Sequence, residues 1–147
     1  DIITVNLGPG SFTGIRVALT VAKVMAGELN ISLVGLTTNE ILLNAFNKDI
    51  LIMDARRDMY YFATKDNIEL IYKDKLIEKI KNKNNILTDK RSFGFISNSQ
   101  CFEDYDIDLA SVMIKLAAKK YLNSQNKDEF NYLKVNANYI QTPPVFS

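Results

Sequence analysis

Histidine and tryptophan are absent from this 147-residue sequence, and cysteine occurs once, at Cys101. The missing histidines remove the commonest general base and the commonest metal ligand. With one thiol and no imidazole, no tetrahedral zinc site of the usual kinds can be assembled. Ser–His and Cys–His nucleophile pairs are excluded as well. Any chemistry would have to rest on carboxylates, lysine, tyrosine or serine. A lone cysteine also rules out an internal disulfide framework, which suits a reducing, cytoplasmic setting. No apolar run approaches the length of a membrane span, and the start does not read as a signal peptide. A charge excess is missing too: 18 basic residues face 17 acidic ones, for a net charge of +1. A protein that grips nucleic acid unaided carries a basic surplus, because phosphate contacts dominate that affinity. Tight RNA binding by this chain alone is therefore not expected.

What remains is an ordinary globular composition, 47% hydrophobic and 24% charged, in a length that suits one domain or two small lobes. Ile2, Ile3, Val5 and Leu7 read as a strand that Gly8-Pro9-Gly10 stops. A helix follows over residues 14–29, ended by Asn30. Leu33-Val34-Gly35-Leu36 is a short apolar strand. Thr37, three residues before Glu40, has capping-box spacing and opens a helix to about Asn47. Strand–helix–strand–helix is a βαβ pattern and implies parallel strands. The pattern then changes. Residues 50–53 and 59–64 read as a hairpin around the polar break Asp54–Asp58, and residues 68–72 as a third antiparallel strand. Leu76, Ile77 and Ile80 mark a short amphipathic helix. Phe93-Gly94-Phe95-Ile96 reads as another strand. Asp108 caps a helix over residues 109–122, and Pro143-Pro144 reads as an extended tail. The expected division is residues 1–48 as one lobe and residues 49–147, with the C-terminal helix and tail, as the second.

The sharpest motif is Gly8-Pro9-Gly10-Ser11-Phe12-Thr13-Gly14, which joins a strand to a helix. Its glycines permit backbone angles closed to other residues, and Ser11 or Thr13 can cap the helix. Free amides at a helix start can hold an anion, but a tight capped turn is the reading preferred here. The segment is neither a Walker A loop nor GxGxxG, since no Lys-Ser or Lys-Thr follows Gly14 and position 13 is Thr. In the helix after it, Arg16, Thr20, Lys23 and Gly27 form one narrow stripe, and nearly everything else is apolar. A helix covering one face of a sheet needs a single apolar stripe; one that is apolar nearly all round is covered on two sides, the second by a neighbouring helix of the same lobe, by a partner subunit, or by both. Ile15, Ala18, Leu19, Ala22 and Met25 are expected to face the sheet. Arg16, Val17, Thr20, Val21 and Val24 are the expected partner interface.

Three blocks now carry a resemblance. Asp1-Ile2-Ile3-Thr4-Val5 leading into the glycine motif and Ile15-Arg16-Val17, then Leu33-Val34-Gly35-Leu36-Thr37-Thr38 with Glu40, then Ile52-Met53-Asp54-Ala55-Arg56-Arg57, resemble the signature of the TsaB (YeaZ) family in the family's order. Asp58 stands where that family usually turns with glycine. The resemblance implies an α/β fold of the actin-like ATPase (ASKHA, RNase H-like) kind with two lobes. It implies a non-catalytic dimerisation and activating subunit that pairs with a TsaD-type transferase through helices of the first lobe. A TsaE-type ATPase joins them, and tRNA is met only through the complex, which forms N6-threonylcarbamoyladenosine at position 37. A homodimer is also admitted. No cofactor and no metal are implied, since TsaD proteins hold metal through paired histidines and this sequence has none. Relative to the family pattern, strands and a long helix before the position of Asp1 are lacking. The expectation is therefore a first lobe truncated at its N-terminus, in a fragment or half of a split gene, that is unstable or self-associating on its own. The competing readings are a metallopeptidase-like or nucleotide-hydrolysing enzyme of the same fold, and a fragment without function.

Other charged groups read as solvated surface. Arg56 and Arg57, with Asp54 and Asp58, fit a hairpin turn better than an anion site. Lysines 73, 75, 79, 81 and 83 fit a solvated helix face. Glu103, Asp104, Asp106 and Asp108 lack EF-hand spacing and its turn glycine. Purified protein is expected to carry no stoichiometric transition metal and to release no phosphate from ATP above a blank. Elemental analysis and a phosphate-release assay check this, and either signal would restore the enzyme reading.

Overall fold

The computed structural model describes residues 1–140. The element order is β1 (Ile2–Asn6), α1 (Phe12–Leu29), β2 (Ser32–Leu36), α2 (Thr38–Phe46), β3 (Ile50–Asp54), β4 (Met59–Ala63), β5 (Ile68–Tyr72), α3 (Lys73–Ile80), β6 (Ile86–Thr88), α4 (Lys90–Phe93), β7 (Ser99–Cys101) and α5 (Leu109–Asn123). Short 3₁₀ turns follow β7 and α5. The chain forms two compact units. The first is Asp1–Ile41 with Asp108–Tyr139; the second contains Leu42–Ile107. The expected extended tail at Pro143-Pro144 lies outside the described residues.

In the first unit, β1 and β2 pair in parallel, Ile2 opposite Ser32 through Asn6 opposite Leu36. Alternation along the two strands sorts their side chains onto two faces. Val5 and Leu33, with Ile3 and Leu7, pack with Leu19, Ala22 and Ala26 of α1. Val34 and Leu36, with Ile2, pack with Ala117, Met113 and Leu116 of α5. Each fully buried large apolar side chain contributes roughly 1.5–3 kcal/mol, so both faces need a helix. The second face explains where the expected division errs. The sequence pattern places the helix at 109–122 in the second lobe, but it packs in the first unit, where it covers the even-numbered face of β1–β2.

Local signals set the helix ends. The Ser11 hydroxyl accepts the Gly14 amide at 3.3 Å, and Asn30 ends α1 in a left-handed conformation. At the start of α2, Glu40 accepts the Thr37 amide at 2.6 Å while the Thr37 hydroxyl accepts the Glu40 amide at 3.3 Å, a reciprocal capping box. Asp108 caps α5 through Ser111, whose hydroxyl and amide hold the Asp108 carboxyl below the usual carboxylate range.

In the second unit the sheet order is β5-β4-β3-β6-β7, with β3, β4 and β5 antiparallel and β6 and β7 parallel to β3. Leu76 of α3 closes one face with Ile50, Ile52, Tyr60 and Phe62; Leu42 and Leu43 of α2 close the other with Leu51, Ala63 and Leu87. The strand expected at residues 93–96 is not one. The Asp89 carboxylate caps α4 by accepting the Ser92 amide at 2.8 Å, so the chain turns there. Phe95 and Ile96 then pack onto the core as loop residues. The strands are instead the two three-residue segments on either side.

The hairpin turn has a cost. Arg56, Arg57 and Asp58 all have positive φ, at 66°, 53° and 60°, a region unfavourable to residues with a Cβ. The family's glycine at the position of Asp58 therefore has a conformational reason. Asp58→Gly should stabilise the fold by up to about 1 kcal/mol, the relief of strain exceeding the added chain entropy. Urea denaturation reads this as a higher midpoint at unchanged slope; a lower midpoint would mean that the Asp58 side chain contributes more than its backbone costs.

Candidate partner interface

The loop between β1 and α1 is fixed from below by β2 and α2. The ladder continues past the strands: the Leu7 amide donates to the Leu36 carbonyl at 2.8 Å, and the Thr38 amide to the Gly8 carbonyl at 2.9 Å. The Thr38 hydroxyl is buried and donates to the Pro9 carbonyl at 2.6 Å. Asn6 Oδ1 accepts the Gly8 amide at 2.9 Å. Gly8 has φ +96°, and a Cβ there would meet Ile15 Cδ1 at 2.8 Å, so the position demands glycine twice over. The Gly8 amide is taken by Asn6 at the end of β1 and the Gly14 amide by Ser11 of the loop. That is the arrangement of a capped turn.

The loop delivers α1 with Leu19, Ala22 and Ala26 buried. On its opposite side Val17, Val21 and Val24 are 58%, 53% and 59% exposed. Arg16 and Thr20 are exposed beside them. Arg16 stacks over the Phe12 ring at 5.0 Å, and the Thr20 hydroxyl donates back to the Arg16 carbonyl at 2.8 Å. All five residues singled out from the sequence thus lie on the exposed surface of α1. Two of those expected to face the sheet do not: Met25 is 49% exposed and Ala18 is exposed as well. At 3.6 residues per turn both fall past the edge of the buried stripe, which widens the apolar surface.

Elsewhere the charged clusters serve local structure. Asp54 takes the Arg91 guanidinium at 3.0 Å and the Arg56 amide at 3.1 Å, while Asp89 takes the Asp54 amide at 2.8 Å. Burial, with Asp54, Asp58 and Asp89 nearby, raises the Tyr60 phenol above its usual range. Lys79 pairs with Glu69 and lies over Phe62, and Lys73 lies over Phe95. Among the described residues no group of three or more Cys, Asp or Glu side chains could hold a metal ion. None of the described helices is long and apolar enough to cross a membrane. Sequence reasoning missed the segment at residues 132–139, which packs along α1 through Tyr132 and Val135. Its one signal was Gly27, a glycine inside a helix.

The family model for TsaD, tRNA N6-adenosine threonylcarbamoyltransferase, matches residues 1–115. The chain belongs to that family. Within it the likeness is to TsaB (YeaZ) members. The tRNA threonylcarbamoyladenosine biosynthesis protein TsaB of Bacillus subtilis (strain 168) is 35% identical over 89 residues, 58% of this chain and 37% of that protein. The chain thus spans little more than a third of the length of this curated relative. Two solved Pseudomonas aeruginosa structures share the fold. One is YeaZ, with a TM-score of 0.70 and 15% identity over 95% of this chain and 74% of that one. The other, an uncharacterized protein with similarity to peptidase YeaZ, has a TM-score of 0.71 and 14% identity over 96% and 74%. The actin-like α/β fold that the resemblance implied is therefore the fold of this chain.

Thr38→Val keeps the shape of the side chain but leaves the Pro9 carbonyl without its donor. It should destabilise the chain by about 1–3 kcal/mol, read by thermal melting. Unchanged melting would show that the loop holds without this bond.

Proposed function

We propose that this chain is a non-catalytic subunit in the formation of N6-threonylcarbamoyladenosine at position 37 of tRNA, and that it acts by binding a TsaD-type transferase subunit through α1. The observation that carries the reading is the uncovered side of that helix. Val17, Val21 and Val24 stand exposed directly opposite the buried stripe, where a surface helix ordinarily carries charge. The family supports the pathway, and the match to a TsaB protein supports the role of partner. A non-enzymatic role is favoured by the lack of histidine in the whole sequence, since TsaD-type subunits use paired histidines for metal. In this reading Arg16, Val17, Thr20, Val21 and Val24 form the contact, a TsaE-type ATPase joins the pair, and tRNA is met through the assembled complex in the cytoplasm. In the absence of the transferase, the same apolar side chains are available to a second copy.

Val21→Arg places a charge at the centre of the contact. An unpaired charge buried at an interface costs about 3–5 kcal/mol, so affinity should fall more than about a hundredfold. Co-purification with a TsaD-type subunit measures this, with circular dichroism as the folding check and Lys75→Glu on α3 as the surface control. Retained binding by a folded Val21→Arg protein would refute the assignment.

A further inference from the structure

Helix α1 carries a glycine at position 27, where alanine would hold the helix better. The reason lies outside the helix. The Tyr132 ring rests against that glycine, and a Cβ there would meet its Cζ at 3.2 Å and its Cε2 at 3.3 Å. Tyr132 opens an eight-residue segment, residues 132–139, that returns along α1 in the opposite direction. The Lys23 ammonium reaches Asn136 Oδ1 at 3.5 Å. Val135 is buried in the α1–β1 core. The Asn138 amide donates to the Leu7 carbonyl at 2.8 Å. At the far end the Tyr139 ring lies 5.4 Å from that of Phe12. Residues 132–134 form a turn closed by the Lys134 amide on the Asn131 carbonyl at 2.8 Å, and residues 135–139 then run past the helix without regular secondary structure.

We infer that residues 132–139 are a strap that sets the position of α1 on β1 and so governs how the α1 face is presented, with Tyr132 on Gly27 as its catch. The strap touches Phe12, Lys23 and Gly27, a flank of the helix distinct from Val17, Val21 and Val24. It therefore acts by holding the helix rather than by covering the contact side chains. The part played in partner binding rests on the α1 reading above; the strap itself does not.

The test is amide hydrogen exchange, followed by mass spectrometry on the full chain, for Gly27→Ala, Tyr132→Ala and the double variant. Each single change should speed exchange across residues 132–139 and the last turns of α1 roughly tenfold, the effect of one lost tertiary contact. Peptides of Leu42–Ile107 should not change. With the ring gone, Gly27→Ala should add no further loss and should slow exchange within α1, since alanine then meets nothing. Additive effects of the two substitutions, or an unaltered strap in Gly27→Ala, would overturn the catch. Should Gly27→Ala fail to fold, Tyr132→Ala combined with Tyr139→Ala carries the same test. Binding to a TsaD-type subunit should weaken in the strap variants although Val17, Val21 and Val24 are intact. Faster exchange with binding unchanged would overturn the strap's role in presentation. Retained binding in Val21→Arg would instead sink the α1 reading and leave the exchange result standing.

Discussion

The first unit depends on one constraint: two paired parallel strands with apolar side chains on both faces. Ile3, Val5, Leu7 and Leu33 look one way; Ile2, Val34 and Leu36 look the other. A sheet so built is stable only when covered twice. The first cover, α1, lies next in the sequence. The second, α5, is more than seventy residues further on, so the chain must come back to it. The loop motif, the capping box on α2 and the Thr38 hydroxyl bond all follow from joining that pair of strands to its covers within a few residues.

A helix laid on such a sheet has one side left over, and α1 fills it with valines rather than charge. Exposed apolar surface of this kind invites association. The flank that is covered within the unit is covered by a segment that begins in a turn and has no strand or helix, whose hold rests on a few side chains. The helix is thus firmly fixed on its sheet side, lightly fixed on one flank and free on the remaining side.

Much of this was legible in the sequence because the signals were local. Ser11, Thr37 with Glu40, and Asp108 marked helix starts by side chains that bond within three residues. Helical phase placed Val17, Val21 and Val24 together on one side of α1, and all three are exposed there. What escaped was decided at long range. Ile86-Leu87-Thr88 and Ser99-Gln100-Cys101 are three-residue parallel strands, too short to show alternation, and exist because β3 and β6 pair with them. Phe95 and Ile96 are apolar enough to suggest a strand, yet Asp89 had already turned the chain. The affiliation of α5 could not be read from its own residues, because its apolar stripe fits any face. The strap at residues 132–139 has no periodicity, and only Gly27, a position it presses on, hinted at it.

The pair of aspartates at the end of β3 and just after β6 has a consequence for sequence change over time. Asp89 receives the backbone of Asp54 and caps α4 with its other oxygen, while Asp54 receives Arg91 and the backbone of Arg56. Two short carboxylates thereby tie the hairpin turn, the end of the central strand and the following helix into one knot. Lengthening Asp89 to glutamate would displace the Asp54 and Ser92 amides, and lengthening Asp54 would displace the Arg56 amide and the Arg91 guanidinium. Related sequences should hold both or lose both together, with Arg91 following Asp54, so that these positions drift as a unit while the exposed Arg57 between them varies alone.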